Sequence, residues 1–144
     1  MKANELSYKD LIVGDWVVIN NIPRQITFID DCINYKIIAK GKHPDDSRVS
    51  YVGKLSEEVK PIPLTPEILE KNGFIRNIFN IYELSVDTDT FNNLISYQPN
   101  YGGIYICKET SEGDFLSEIQ LKLQYVHELQ NAMHLFKIEK EIVL

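Results

Sequence analysis

The chain has 144 residues, of which 44% are hydrophobic and 25% are charged, as is usual for one or two small globular domains. Its formal net charge is −6, and residues 73–144 carry ten acidic side chains against five basic ones. Because such an acidic half repels phosphate backbones, a nucleic-acid surface is excluded from it. The sequence has neither a bilayer-spanning apolar run nor the apolar core of a signal peptide, which predicts a cytoplasmic protein without membrane contact.

The first half has the strand and turn pattern of a small β-barrel. Residues 16–19 alternate between two faces, and Asn20–Asn21 supply a reversal before a second strand, because asparagine tolerates positive φ. Further strands are predicted at Tyr35 to Ala39 and at Arg48 to Leu55. Gly14–Asp15 ahead of the first strand is typical of the turn that opens an SH3-like barrel. We therefore predict an SH3-like subdomain at residues 1–60.

A short helix is predicted in the middle of the chain. Thr65 is a good N-cap, and Pro66 at the first helical position loses no hydrogen bond. Gly73 suits a left-handed end after about Asn72. We interpret this helix as a hinge between the two halves.

The second half, residues 61–144, is predicted to continue as an antiparallel meander. The last of its strands alternates apolar and polar residues, which is typical of a half-buried strand. The four strands are predicted at Ile78 to Val86, Phe91 to Tyr97, Tyr101 to Lys108 and Leu116 to Leu123. A further short strand is predicted at Glu141 to Leu144.

At Tyr125 the apolar period changes to that of a helix, which is predicted to end at Phe136 and to cover the inner face of the meander. Its inward face includes Leu129, whereas His127 and His134 are predicted to face away. Truncation of Leu129 to alanine is then expected to cost about 2–5 kcal/mol, and truncation of either histidine under about 1 kcal/mol. The predicted fold class is α+β, arranged as the two subdomains or as one compact unit.

Three stretches are shared with a known family: MKANEL with the nearby GDWV, PIPLTPEILEKNGF, and YVHELQN. With these motifs the chain resembles a family of small uncharacterised proteins from Bacteroidetes genomes, their phages and conjugative elements. The resemblance implies an accessory protein of a mobile element and transfers no catalytic residues. The chain departs from the family by residues inserted between MKANEL and GDWV. It also departs by Lys137–Ile138, where the family usually has Thr-Gly, so the glycine expected to stop the helix is missing.

The candidate metal and phosphate sites are all weak. His127-Glu128 begins like a zinc-peptidase helix, but Asn131 stands where the second histidine is needed, and His134 is about 10 Å along the axis from His127. Asp87 and Asp89 point to one side of an extended segment and could bind a divalent ion, but the site lacks further oxygen ligands, so a solvated turn is predicted. Gly102–Gly103 has a predicted strand on each side, whereas a phosphate-binding loop is followed by a helix, so a hairpin turn is predicted there. Cys32 and Cys107 suit reduced, buried thiols. We therefore predict no metal, no cofactor and no catalytic activity.

The most plausible nucleic-acid surface lies in the first half, where basic residues are interleaved with aromatic ones that could stack on bases. Several aspartates interrupt the patch, so an ordinary mixed-charge surface is the competing interpretation. The candidate contacts are Trp16, Tyr35, Lys36, Lys40, Arg48 and Tyr51.

The alternative partner is a protein. The third strand of the meander is rich in aromatic and β-branched residues, which makes it a candidate for edge-to-edge pairing or a buried contact. Its candidate contact residues are Tyr101, Ile104, Tyr105 and Ile106. The preferred hypothesis is a non-catalytic protein-interaction or self-associating module, and the alternative is a nucleic-acid-associated accessory protein that uses the first half.

Overall fold

The computed structural model describes residues 11–19, 21–30, 36–41, 49–52 and 59–144, with the side chains of 11–19, 21–27 and 59–144. Contacts divide the chain into two compact units. Unit 1 takes the described residues up to Pro63 together with Tyr125–Asn131, and unit 2 takes Leu64–Gln124 together with Ala132–Leu144. The break after Pro63 lies near the boundary expected from the sequence. The inclusion of residues 125–131 in unit 1 was not expected.

Unit 1 contains an antiparallel five-stranded sheet in the order β4-β3-β2-β1-β5. The strands are β1 (Trp16–Ile19), β2 (Ile22–Asp30), β3 (Lys36–Gly41), β4 (Val49–Val52) and β5 (Val59–Pro61).

The predicted β1–β2 hairpin is confirmed. Ile19 pairs with Ile22, and Asn21 adopts the left-handed conformation with φ of 64°. The predicted SH3-like barrel is not confirmed. β4 and β5 stand at opposite ends of the strand order, and no pairing among the described residues joins them. The described part of unit 1 is an open sheet.

The sequence motifs GDWV, PIP and YVHELQN meet in unit 1. The side-chain amide of Gln130 bridges the turn before β1, since it accepts from Trp16 N and donates to Gly14 O, both at 2.9 Å. Val126 N donates to Ile62 O at 2.8 Å. These three motifs therefore include residues that hold this unit together through specific backbone contacts.

The short central helix, α1 (Pro66–Lys71), forms for the local reasons expected. Thr65 Oγ1 accepts from Ile68 N at 3.3 Å, Pro66 begins the helix, and Gly73 follows it with φ of 89°. Gly73 N donates to Glu70 O while the next amide donates to Leu69 O, both at 3.0 Å. This pair of bonds is the Schellman arrangement, which satisfies the last carbonyls of a helix.

Unit 2 contains a second antiparallel five-stranded sheet, in the order β10-β9-β8-β7-β6. Its strands are β6 (Ile75–Arg76), β7 (Tyr82–Asp87), β8 (Phe91–Gln98), β9 (Gly103–Thr110) and β10 (Phe115–Lys122). The predicted meander is confirmed, but its first strand begins at Tyr82 rather than Ile78, because Asn77 and Asn80 form a turn there. The α+β class predicted from the sequence is therefore correct.

The last helix, α2 (Val126–Leu135), ends without the expected glycine and still makes the same Schellman arrangement as α1. Lys137 N donates to His134 O at 3.0 Å, and Ile138 N donates to Met133 O at 2.9 Å. Lys137 takes the left-handed conformation with φ of 57°. A lysine thus occupies a backbone position that favours glycine.

Substituting Lys137→Gly is expected to raise the free energy of unfolding by about 0.5–1 kcal/mol, because glycine removes the Cβ penalty of left-handed backbone. Denaturant midpoints measure the effect. The matched control is Lys140→Gly, because Lys140 does not have positive φ, so the same change there should give no gain. Equal effects at both positions would contradict this explanation.

The C-terminal segment of unit 2 is held by Asn72 rather than by a strand. Asn72 Nδ2 donates to Val143 O at 2.7 Å, and Val143 N donates to Asn72 Oδ1 at 2.8 Å. Ile138 and Ile142 are buried. The strand predicted at Glu141 to Leu144 is wrong, because one side chain satisfies the backbone there.

Among the described residues, no helix has both the length and the apolar character needed to cross a bilayer.

Candidate interaction surface

Two polar residues of α2, His127 and Asn131, belong to unit 1, whereas His134 belongs to unit 2. His127 is buried, which corrects the outward position predicted for it, whereas His134 is exposed as predicted. Asn131 hydrogen-bonds the side chain of Asp15. Within the part of the chain that is described, no three His, Cys, Asp or Glu side chains are grouped as a metal site.

Asp15 is the one strongly perturbed carboxyl among the described residues. It is buried, and desolvation raises its pKa from 3.8 to about 7 against the opposing hydrogen bonds from Ile12 N and Asn131. Ile12 N donates to Asp15 Oδ2 at 2.9 Å, within the same turn that Gln130 bridges. The geometry describes a buried turn, so we assign Asp15 a structural role.

Of the six predicted nucleic-acid contacts, Trp16 alone has a side chain within the described part of the chain. Trp16 is buried, so its ring cannot stack on a base. Lys36 and Lys40 belong to β3, and Tyr51 belongs to β4, where it pairs with Ile37; only the backbone of these two strands is described. Tyr35 and Arg48 lie outside the described residues.

The four predicted protein contacts divide between two sides of β9. Ile104 and Ile106 are buried, so their side chains are not available to a partner. Tyr101 is exposed in the turn before β9, and Tyr105 lies on the opposite face from the two isoleucines. β9 is also an interior strand between β8 and β10, so the edge-to-edge pairing considered for it is wrong.

The face of the unit 2 sheet that carries Tyr105 is here called the outer face. Cross-strand pairs join Glu83 to Ser96, Ser96 to Tyr105, and Tyr105 to Gln120, which gives one row across four strands. The same alternation places the following residues on this face: Glu83, Ser85 and Asp87 of β7; Leu94, Ser96 and Gln98 of β8; Tyr105, Cys107 and Glu109 of β9; and Glu118, Gln120 and Lys122 of β10. Cys107 is a half-buried free thiol there, rather than a buried one.

A groove of about 570 Å³ runs along one end of the outer face. Ile81 and Tyr101 line it at the strand ends, and Tyr105 and Lys122 line it nearer β10. Tyr105 Oη donates to Glu118 Oε2 at 2.5 Å, and this bond to a carboxylate is the main reason that the pKa of Tyr105 is raised. The phenol therefore stays protonated and tied to β10.

β10 is the edge strand of this sheet, not the half-buried strand predicted from its alternation. Its side chains are exposed along its length, apart from the half-buried Ile119. Phe115, Leu116 and Leu121 are among the exposed apolar side chains of unit 2. Alternation shows which residues share a face, but it does not show whether anything covers that face.

Two strongly exposed apolar residues lie in the loop between β6 and β7, where the sequence predicts the start of a strand. Ile78 is 92% exposed and Phe79 is 75% exposed. This segment, Asn77–Ile81, is here called the apolar loop. The sequence signal for it is the pair of asparagines in Asn-Ile-Phe-Asn, because asparagine favours turns and left-handed backbone.

Comparison with protein-family models, with curated proteins and with solved structures found no match to this chain.

Proposed function

We propose that this protein is a non-catalytic interaction module whose partner is another polypeptide chain. The partner adds a strand along the free edge of β10, the edge that faces away from β9. The supporting observation is that β10 ends the strand order among the described strands and is exposed along its length. An edge strand presents a row of backbone N–H and C=O groups, which is the surface that strand addition uses.

The hydrogen-bond register identifies the backbone groups available to a partner strand. Leu123 N donates to Gly102 O at 2.8 Å, and these residues extend the β9–β10 register in which Lys122 pairs with Gly103. Backbone groups of alternate residues point to the same side of an antiparallel strand, so those of Leu121 and Ile119 also point to β9. The residues whose backbone groups point away from β9 are Glu118, Gln120 and Lys122.

β10 has few of the features that block an edge. It contains no proline, and its one irregularity lies between Phe115 and Ser117, at its beginning. The rest of the strand is regular and alternates charged or polar residues with Ile119 and Leu121. A partner strand with apolar residues at alternate positions would pair with these two side chains.

The wider assignment, an accessory protein of a mobile element, rests on the motif resemblance and is part of the same proposal, as is an SH3-like character for the first subdomain. The acidic second half also supports a polypeptide partner over a nucleic acid, because phosphate backbones are repelled by it. A second copy of the chain is one form that the partner can take.

Gln120→Pro is expected to abolish strand addition, because proline removes an N–H on the outer side of β10 and leaves the β9 ladder intact. Gln120→Ala changes only the side chain and is expected to bind normally. The measurement uses peptides selected from a random display library on the wild-type protein. Hydrogen exchange should show the amides of Glu118, Gln120 and Lys122 becoming protected when a selected peptide binds.

The size of the purified protein gives the second readout. A dimer that becomes monomeric with Gln120→Pro would identify the partner as a second copy. Peptide binding that is unaffected by Gln120→Pro and protects none of the three amides would overturn strand addition. A protein that stays monomeric, selects no peptide, and shifts only with added DNA or RNA in a salt-dependent manner would favour nucleic acid instead.

A further inference from the structure

The apolar loop exposes two large apolar side chains to solvent at positions where turns usually have polar residues. Asn80 N donates to Asn77 O at 3.1 Å, and Asn77 N donates to Ile81 O at 2.9 Å, so Ile78 and Phe79 are the central residues of a tight hairpin turn. Central turn positions are usually polar, because they face water. Exposed apolar side chains at such positions are characteristic of a contact surface.

The loop is also held in a defined conformation without any partner. Asn77 Oδ1 accepts from Phe79 N at 2.8 Å and from Ile81 N at 3.1 Å. Asn80 takes the left-handed conformation with φ of 60°. Asn77 Nδ2 also donates to Glu83 Oε1 at 3.3 Å. A loop ordered in advance loses little conformational entropy on binding, which favours affinity.

This loop and the groove of the outer face lie at the same end of the unit 2 sheet. Tyr82 at the start of β7 pairs with Tyr97 near the end of β8, so the apolar loop and the turn that carries Tyr101 are both at that end. Ile81 and Tyr101 both line the groove. Apolar surface therefore extends from the loop into the groove.

The charges of the outer face are mainly negative, which selects among possible occupants. Four acidic side chains lie on this face among the described residues. Glu83 lines the groove and Glu118 accepts from groove-lining Tyr105, whereas Asp87 and Glu109 lie at the opposite end, and Lys122 also lines the groove. A second copy would bring its own acidic half against this one, and a nucleic acid would bring phosphates. A cationic segment is attracted by the same field.

We propose that the groove binds a basic polypeptide segment that places an aliphatic or aromatic side chain against the apolar loop and Tyr101. Lysine or arginine residues beside that side chain would lie against the acidic outer face, with Glu83 nearest the loop. This site goes beyond the proposed function, which concerns the edge of β10. Recognition by an apolar anchor with complementary charge is a common way for a shallow groove to gain specificity.

The test uses three short synthetic peptides, KKFKK, KKGKK and EEFEE, titrated into the isotope-labelled full chain and followed by NMR. KKFKK is expected to shift the amides of the apolar loop, Tyr101 and Tyr105, and to bind more weakly as salt is added. KKGKK lacks the anchor and should bind at least about tenfold more weakly, which corresponds to about 1.4 kcal/mol. EEFEE should not bind.

Phe79→Ser is expected to weaken KKFKK binding by about tenfold, the scale of one lost apolar anchor. Phe115→Ser is the matched control, because Phe115 is also exposed, at 62%, but pairs with Glu109 at the end of the sheet opposite the apolar loop. Glu83→Gln should weaken binding as well, whereas Glu112→Gln, in the exposed β9–β10 turn, should not. All four positions are exposed, so the folded state should be retained.

Three results would overturn the proposal: equal binding of KKFKK and EEFEE, unchanged binding by Phe79→Ser, or shifts confined to residues away from the groove. The β10 proposal is judged separately. KKFKK should leave the exchange of the Glu118, Gln120 and Lys122 amides unchanged, because it forms no strand beside β10, and Phe79→Ser should leave these amides protected by library-selected peptides. Either proposal can therefore fail while the other stands.

Discussion

Leu129→Ala is expected to lower the free energy of unfolding by about 2–5 kcal/mol, the range for truncating a fully buried leucine. The side chain is 1% exposed and belongs to the first part of α2, within unit 1. Truncation removes buried apolar atoms and leaves a cavity that the surrounding residues fill only in part. Denaturant unfolding of the full chain, followed by circular dichroism, measures the loss.

The matched control lies in the same helix. Leu135 is 68% exposed, so Leu135→Ala should change the free energy of unfolding by less than about 0.5 kcal/mol. His134→Ala should also cost under about 1 kcal/mol, as expected from the sequence, because His134 is exposed. His127 is buried, so its truncation is now expected to cost about 1–3 kcal/mol. Similar losses for Leu129→Ala and Leu135→Ala would contradict the assigned helix face.

Asp15→Asn is expected to change how stability depends on pH. Burial raises the pKa of Asp15 from 3.8 to about 7, so the folded state binds this proton more tightly than the unfolded state does. The resulting stabilisation is complete below pH 3.8 and is lost as the pH rises toward 7, with a slope of up to about 1.4 kcal/mol per pH unit. Asparagine cannot lose a proton, so the variant should lack this component.

The measurement is the difference in free energy of unfolding between wild type and Asp15→Asn from pH 4 to pH 8. The variant should gain on wild type up to about pH 7, and the difference should then stay constant. Asp89→Asn, at an exposed carboxyl, is the control for general charge effects and should show no such trend. A difference that does not change between pH 4 and pH 7 would show that Asp15 titrates as an ordinary surface carboxyl.

Much of unit 2 follows from local sequence. α1 forms because Thr65, Pro66 and Gly73 each suit one backbone position, and such preferences act within a few residues. The strands β8 and β9 are predicted by runs of aromatic and β-branched residues between turn signals. The same reasoning found the β1–β2 hairpin, because the asparagine pair specifies its reversal.

The candidate sites were harder to predict, because they depend on what lies beside a residue. Ile104 and Tyr105 are neighbours in an apolar run, yet one is buried and the other lies on the outer face. Trp16 was a candidate for stacking on bases until its burial became known. Composition and spacing cannot make these distinctions, because they do not say which face is covered.

The sequence by itself determined the β1–β2 hairpin, α1, the meander β7 to β10 and α2, because turn residues, caps and apolar periods act over short stretches of chain; it did not predict the short strands β5 and β6. Tertiary structure alone decided that β10 is an edge strand, that His127 is buried, and that the apolar loop points its side chains into solvent. It also decided that Lys137 adopts the left-handed conformation at the end of α2. These outcomes depend on contacts between residues far apart in the chain, whose packing free energy exceeds the small local preferences of the residues involved.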